Sequence, residues 1–338
     1  MKLNIFSKKL LISFILFLGV QSFAINYEIE IIKDLKHNRD VDILSLNNSN
    51  QVFGRFLGED TNDFFIYENK QVQIITSQIE SINFQNLEYK FGLKESVIFE
   101  GLSDDQNIYG FFISKEDGQS TDGSIMGHAF YVDNSNTAQL ITCPNNQYTS
   151  NLISFNTVGN FLLTCSSKDS SENNHYFKFH NGVVEEIILP ITYKEQKAYH
   201  SLGGLTTNGV IFGSVWIDSN TTTEGKIEMP KVPYFYENGI FNYFDKNLNV
   251  DEELQLNGIN QNYIQVGVYR NFHPESEFIG EEGYIITPNS SNGDYEKIQI
   301  ENYSTRIIGI NDNNFAIGDY NLDFENDDID HGFLLKLK

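Results

Sequence analysis

An all-β fold is predicted by three observations: a pattern that recurs six times, strand signals of four short segments within each repeat, and a terminal segment that supplies what the last repeat lacks. The recurring pattern begins ILSLNNSNQVFG, FEGLSDDQNIYG, LISFNTVGNFLL, LGGLTTNGVIFG, LNGINQNYIQVG and IIGINDNNFAIG, ending at Gly54, Gly110, Leu163, Gly213, Gly267 and Gly318. A period of roughly 50 residues with four strands per unit is the signature of propeller blades. The expectation is therefore a six-bladed β-propeller of four-stranded blades, its ring closed by the N-terminal strand joining the last blade. No dozen-residue stretch carries the 3.6-residue periodicity of an amphipathic helix.

Within each unit the first strand runs into an Asn/Asp/Gly cluster, which predicts a tight hairpin to a second strand. A small residue stands near the end of the first strand, at Ser45, Gly101, Ser154, Gly204, Gly258 and Gly309. That pattern predicts close approach by neighbouring strands. The third strand follows a longer polar loop and has an aromatic third residue: Phe65, Phe130, Phe177, Tyr234, Tyr284 and Phe333. In a chain 14% aromatic, six aromatics in one register mark a structural position. A last turn, such as His180-Asn181-Gly182 or Glu237-Asn238-Gly239, leads to a fourth strand. Unit six ends at HGFLLKLK without a fourth strand, whereas INYEIEIIKDL precedes unit one, so Tyr27 to Leu35 is expected to pair beside Phe333 to Leu337.

The first 24 residues place Lys2, Lys8 and Lys9 before an apolar run from Leu10 to Val20, with Ser22 and Ala24 in small-x-small spacing. This predicts a signal peptide over 1–24 and a single propeller domain over 25–338, exported to the periplasm or the extracellular space. The run is too short for the roughly 20 residues of a spanning helix, so no stable membrane insertion is expected after cleavage.

The chain carries 46 acidic against 23 basic side chains, a net charge of −23. Such a surface excludes nucleic acid as partner and suits a protein, glycan or divalent cation, presented by a monomer. Cys143 and Cys165 would meet an oxidising compartment; a disulfide and two buried thiols are the two readings.

The units resemble the HAF family of extracellular repeats, through His128-Ala129-Phe130, through GINDNNFAIGDY with HGFLL, and through GINQNYIQVGVY with EGYII. The resemblance implies an exported, propeller-like array of uncharacterised role and carries no catalytic residues over. No Gly-x-Ser-x-Gly elbow, no His-Glu-x-x-His and no phosphate loop is present. The expected function is thus a non-catalytic binding or scaffold propeller. The alternative is a carbohydrate-active or other hydrolase with two carboxylates at the mouth.

Loops between second and third strands vary most between units and should share one face of the ring, so they hold the candidate binding residues: Asp117, Asp122, Glu224, Arg270, His273, Glu281 and Glu282. Trp216, Tyr269, Phe272 and Phe278 are either a ligand platform or packing between blades. The acidic run Asp319, Asp323, Asp327 and Asp330 is either a solvated loop or a Ca²⁺ site, since crowded carboxylates favour a hard cation. No other cofactor is expected. His128, His175 and His331 belong to units that a ring does not bring together, so they are read as structural rather than as zinc ligands.

Overall fold

The computed structural model describes residues 26–338 except 35, 38, 59–61, 86–96, 114–126, 145–148, 168–173, 218–230, 245–251, 272–280, 289–294, 299, 301–303 and 322–329. The leading strand is β1 (Tyr27–Ile32). Blade 1 comprises β2 (Val41–Leu46), β3 (Val52–Phe56), β4 (Asp63–Glu68) and β5 (Gln71–Ile74), and blade 2 comprises β6 (Val97–Leu102), β7 (Ile108–Phe112), β8 (His128–Val132) and β9 (Ala138–Leu140). Blade 3 comprises β10 (Thr149–Thr157), β11 (Asn160–Ser166), β12 (His175–His180) and β13 (Val183–Ile187). Blade 4 has a two-residue strand β14 (Thr192–Tyr193) before β15 (Gln196–Leu205), β16 (Ile211–Ile217), β17 (Lys231–Glu237) and β18 (Ile240–Tyr243). Blade 5 is β19 (Glu252–Ile259), β20 (Gln265–Asn271), β21 (Glu281–Ile286) and β22 (Glu296–Ile298); blade 6 is β23 (Ser304–Ile310), β24 (Phe315–Asn321) and β25 (Asp330–Leu337). One short helix, Thr76–Glu80, caps the outside of blade 1 and buries Ile79 between blades 1 and 2.

The sheets are antiparallel meanders, and the sixth has the order β1-β25-β24-β23. Tyr27 pairs with Leu337 and Ile32 with Gly332, so the N-terminal strand completes the last blade as expected. Consecutive sheets contact one another all the way round, including blade 6 with blade 1, giving a closed six-bladed propeller. The core consequently lies between blades. At the closure, Ile32, Val41, Ile43, Phe65, Ile317 and Leu334 form one buried cluster drawn from both ends of the chain.

The repeated glycine and the repeated aromatic are direct cross-strand partners in five blades: Gly54 with Phe65, Gly110 with Phe130, Gly213 with Tyr234, Gly267 with Tyr284 and Gly318 with Phe333. The five aromatics are fully buried. In blade 3, Leu163 takes the glycine's place opposite Phe177, which is buried at 7% exposure.

Every first strand has a bulge at the same place, one residue before the conserved small position: between Ile43 and Ser45, Phe99 and Gly101, Leu152 and Ser154, Leu202 and Gly204, Leu256 and Gly258, and Ile307 and Gly309. The expected crowding holds at Gly101, where a Cβ would meet the Tyr109 hydroxyl, and at Gly204, where it would lie 2.5 Å from the Phe212 ring. It does not hold at Gly309, where the nearest atom would be 3.8 Å away; there the common element is the bulge itself.

A disulfide joins Cys143 to Cys165, 22 residues apart, with Cα atoms separated by 5.9 Å. It ties the segment leaving blade 2 to the second strand of blade 3. Closing a loop of this size contributes about 3 kcal/mol in the chain-entropy account.

Candidate functional site

The six first strands surround the axis, and residues from all six line an axial cavity of about 180 Å³. Its tight-turn end is stitched by polar side chains. Asn47, Asn260 and Asn311 each accept the backbone N–H groups two and four residues ahead on Oδ1, which fixes the hairpin. Their Nδ2 groups donate to the carbonyl of the corresponding residue in the next blade: Asn47 to Ser103 (3.1 Å), Asn260 to Asn311 (3.1 Å) and Asn311 to Asn47 (2.9 Å). The side chain of Asn48 spans the axis. Its Nδ2 lies 2.8 Å from Asp104 Oδ2, 3.2 Å from Asp312 Oδ2 and 3.1 Å from Thr207 Oγ1 in the opposite blade. The hairpin residues thus serve twice, as turn formers and as blade-to-blade ties.

Glu100 occupies in blade 2 the bulge position at which Leu44, Gly203, Asn257 and Ile308 line the axial cavity in other blades. Burial pushes its carboxyl up to about 7. Below pH 4.5 the group is neutral whether the chain is folded or not. Between 4.5 and 7 the folded chain holds a proton that the unfolded chain releases, so stability falls as pH rises through that window. Glu100→Gln is therefore expected to raise stability by roughly 2 kcal/mol at pH 8 and by little at pH 4.5. Urea midpoints at the two pH values measure this, and an equal shift at both would contradict it.

A pocket of about 520 Å³ between blades 4 and 5 is lined by Trp216, Lys231, Gln255 and Asn257, with the hydroxyls of Ser201 and Ser214. Trp216 and Lys231 are cross-strand partners at the loop ends of β16 and β17, so the strand register brings an indole and an ammonium to the same edge. Gln255 Oε1 accepts from Arg270 Nη1 (3.1 Å) and stands 3.5 Å from Lys231 Nζ, joining the pocket to the charges beyond it.

Those charges form a network across blades 5 and 6. Arg270 Nε is 2.6 Å from Glu281 Oε1, Arg306 Nε is 3.7 Å from Glu281 Oε2, and the same Arg306 nitrogen is 2.7 Å from Asp319 Oδ1. Burial raises the Asp319 carboxyl above the usual carboxylate range, with Arg306 opposing the shift. Of the binding residues expected from sequence, Arg270 and Glu281 are thus partners of one another, and Glu282 pairs outward with Lys297 at 2.6 Å. Asp117, Asp122, Glu224 and His273 lie outside the described residues.

Of the acidic run, Asp319 accepts from Arg306 and Asp330 accepts from Asn321 Nδ2 at 2.8 Å, whereas Asp323 and Asp327 lie outside the described residues. Tyr269 is buried, stacks on Tyr295 and carries Lys297 over its ring, so it packs within blade 5. Phe272 and Phe278 lie outside the described residues. His175 stands 2.7 Å from Glu186, and the His128 and His331 rings pack at a tilt against Phe112 and Tyr320. Among the described residues no group of three His, Cys, Asp or Glu side chains has the geometry of a metal site. Gln255 and Arg306 escaped the sequence reading because each lies in a first strand, away from the loops between second and third strands, and Lys231, at the end of such a loop, was not singled out. Only the register places them at the mouth.

No family model and no curated protein matches the chain. Solved structures similar to it include a catalytically inactive virginiamycin B lyase from Staphylococcus aureus with quinupristin (11% identity, 93% of this chain and 100% of that one, TM-score 0.39). Others are the β-propeller domain of the Trilobed protease from Pyrococcus furiosus (9%, 87% and 81%, 0.44) and the GH93 α-L-arabinofuranosidase of Fusarium graminearum with arabinobiose (9%, 88% and 92%, 0.44). The fold of this chain rests on its own sheet order, register and closure: it is a six-bladed β-propeller.

Proposed function

We propose that this chain is an exported, non-catalytic binding propeller of the HAF-repeat type that holds a glycan at the loop-side mouth of its axis. The observation that carries the reading is the pocket between blades 4 and 5, where the Trp216 indole stands beside two serine hydroxyls, the amides of Gln255 and Asn257, and Lys231. An aromatic side chain beside hydroxyl and amide groups, the amides fixed by Gln255 Nε2 donating to Asn257 Oδ1 and Asn257 Nδ2 donating to the Ile307 carbonyl, suits sugar rings, which present apolar C–H faces and many hydroxyls. The concavity favours a small or extended ligand over a flat protein surface. Trp216→Ala is expected to weaken glycan binding at least tenfold while leaving the urea midpoint within about 1 kcal/mol of wild type, since the indole is only half-buried. A glycan array followed by calorimetric titration of the hit tests this. Unchanged affinity in the variant would remove the pocket from the reading.

A hydrolase is the second reading, favoured by one observation: Glu281 and Asp319 both reach the Arg306 Nε, so two carboxylates share one point at the mouth. Both carboxylates are already paired with guanidinium groups, Glu281 with Arg270 and Asp319 with Arg306, while burial raises the Asp319 carboxyl in the direction a general acid needs. Reducing-end release from the same glycans, abolished by Asp319→Asn, would replace the first reading with this one.

A further inference from the structure

On the outer rim, where blade 6 meets blade 1, residues of β1 and the segment after it, with residues of β3, β4 and β5, line a groove of about 470 Å³. Ile31 of β1 and Val72 and Ile74 of β5 line it, over a floor that includes Phe56 and Tyr67. Val72 and Ile74 are two apart and share a face of their strand. The three aliphatic side chains stay 37%, 40% and 49% exposed. Such residues are ordinary when scattered over a surface; gathered in one concavity of ligand size they form an apolar trough.

The rim of this trough reverses the charge of the chain. Acids outnumber bases two to one overall, 46 against 23, yet the groove is bordered by Lys33, Lys36 and Lys70 together with Arg39. Arg39 is held by Asp34 at 2.7 Å and Asp63 at 2.9 Å, and Lys70 stands 3.2 Å from Glu30. Lys33 and Lys36 are exposed and have no carboxylate partner among the described residues. An apolar trough with two uncompensated ammonium groups at one border is complementary to an anion carrying an alkyl chain.

We propose that this groove binds a long-chain carboxylate, the alkyl chain lying along Ile31, Val72 and Ile74 and the carboxylate placed between Lys33 and Lys36. The site is independent of the axial mouth. A small amphiphile is favoured over a peptide because β5 offers only four residues for strand addition, while the volume falls in the range of roughly 300–1,000 Å³ typical of small-ligand pockets.

The test is calorimetric titration of the full chain with linear carboxylates of increasing length below micelle formation, and with an alkyltrimethylammonium of matching length. Affinity is expected to rise roughly two- to fourfold per methylene until the groove is filled, with the cationic amphiphile binding at least tenfold more weakly. Lys33→Glu with Lys36→Glu should cost roughly tenfold, and Ile74→Glu should abolish binding, with circular dichroism confirming that both variants fold. Should Ile74→Glu fail to fold, Val72→Glu takes its place. Absence of binding by every carboxylate, equal affinity for the cationic amphiphile, or indifference to the groove variants each overturns the proposal.

Discussion

A chain begun at Lys33, lacking β1, is expected to lose its cooperative fold. In the intact ring β1 contributes six antiparallel pairs to β25, from Tyr27 with Leu337 to Ile32 with Gly332. Its removal turns β25, with the buried Phe333, Leu335 and Leu337, into an exposed sheet edge, the arrangement that recruits other chains into aggregates. Ile32, fully buried, also leaves the cluster that joins blade 6 to blade 1. Two further ties go with it: the Tyr67 hydroxyl donates to Glu30 at 3.0 Å, and Lys338 Nζ pairs with Glu28 at 2.6 Å. Burial of an aliphatic side chain stabilises by about 1.5–3 kcal/mol, so the fully buried Ile32 with the partly buried Tyr27 and Ile29 accounts for roughly 3–5 kcal/mol. That approaches the lower end of the net stability of a typical domain, about 5–15 kcal/mol. Urea unfolding and size-exclusion chromatography of the truncated chain give the readout, and a peptide of residues 26–34 added in trans should restore folding. A truncated monomer with the intact chain's midpoint would mean that the ring is held by blade-to-blade packing alone.

The closure was legible because β1 resembles the fourth strand of other units and because unit six visibly lacks one. Periodicity likewise made the blades legible: a glycine that recurs in five units and an aromatic that recurs in all six mark strands that face one another, as Gly54 and Phe65 do, although the loops between them differ in length. What sequence conceals is pairing between units. Asn47 reads as a turn residue, and its bond to the Ser103 carbonyl 56 residues away cannot be seen in either segment. The same holds for Arg306, which lies in a strand and satisfies Glu281 of the preceding blade as well as Asp319 of its own. Sequence marked Arg270 and Glu281 as binding groups, and Asp319 as part of an acidic run that is either solvated or a Ca²⁺ site, because they flank polar loops. Their charges are instead compensated by partners that only the ring brings close.

Gly267→Ala is expected to destabilise the protein by about 3 kcal/mol, whereas Gly309→Ala should stay within about 1 kcal/mol of wild type. Alanine suits a strand better than glycine, so a propensity argument predicts that both substitutions stabilise slightly. Steric space separates them. At Gly267 an added Cβ would strike the Gln255 carbonyl oxygen, which the bulge in β19 turns toward it, and would lie 2.8 Å from Cε1 of Tyr284. Neither neighbour gives way easily: the carbonyl belongs to a paired strand, and the Tyr284 ring is fully buried. At Gly309 the nearest atoms are the ends of the Ile317 side chain at 3.8 and 4.0 Å, an ordinary contact. In blade 3 the same position is held by Leu163 opposite Phe177, which stays buried, so the pairing itself tolerates a side chain when the facing aromatic is placed to suit. Tyr284→Leu should therefore recover part of the loss when combined with Gly267→Ala, while the carbonyl clash leaves the remainder. Urea midpoints of the two single variants and the double variant decide the matter. Equal effects at Gly267 and Gly309 would show that the repeated glycine is not there to admit the aromatic ring, and the contact that defines each blade would have to be sought elsewhere.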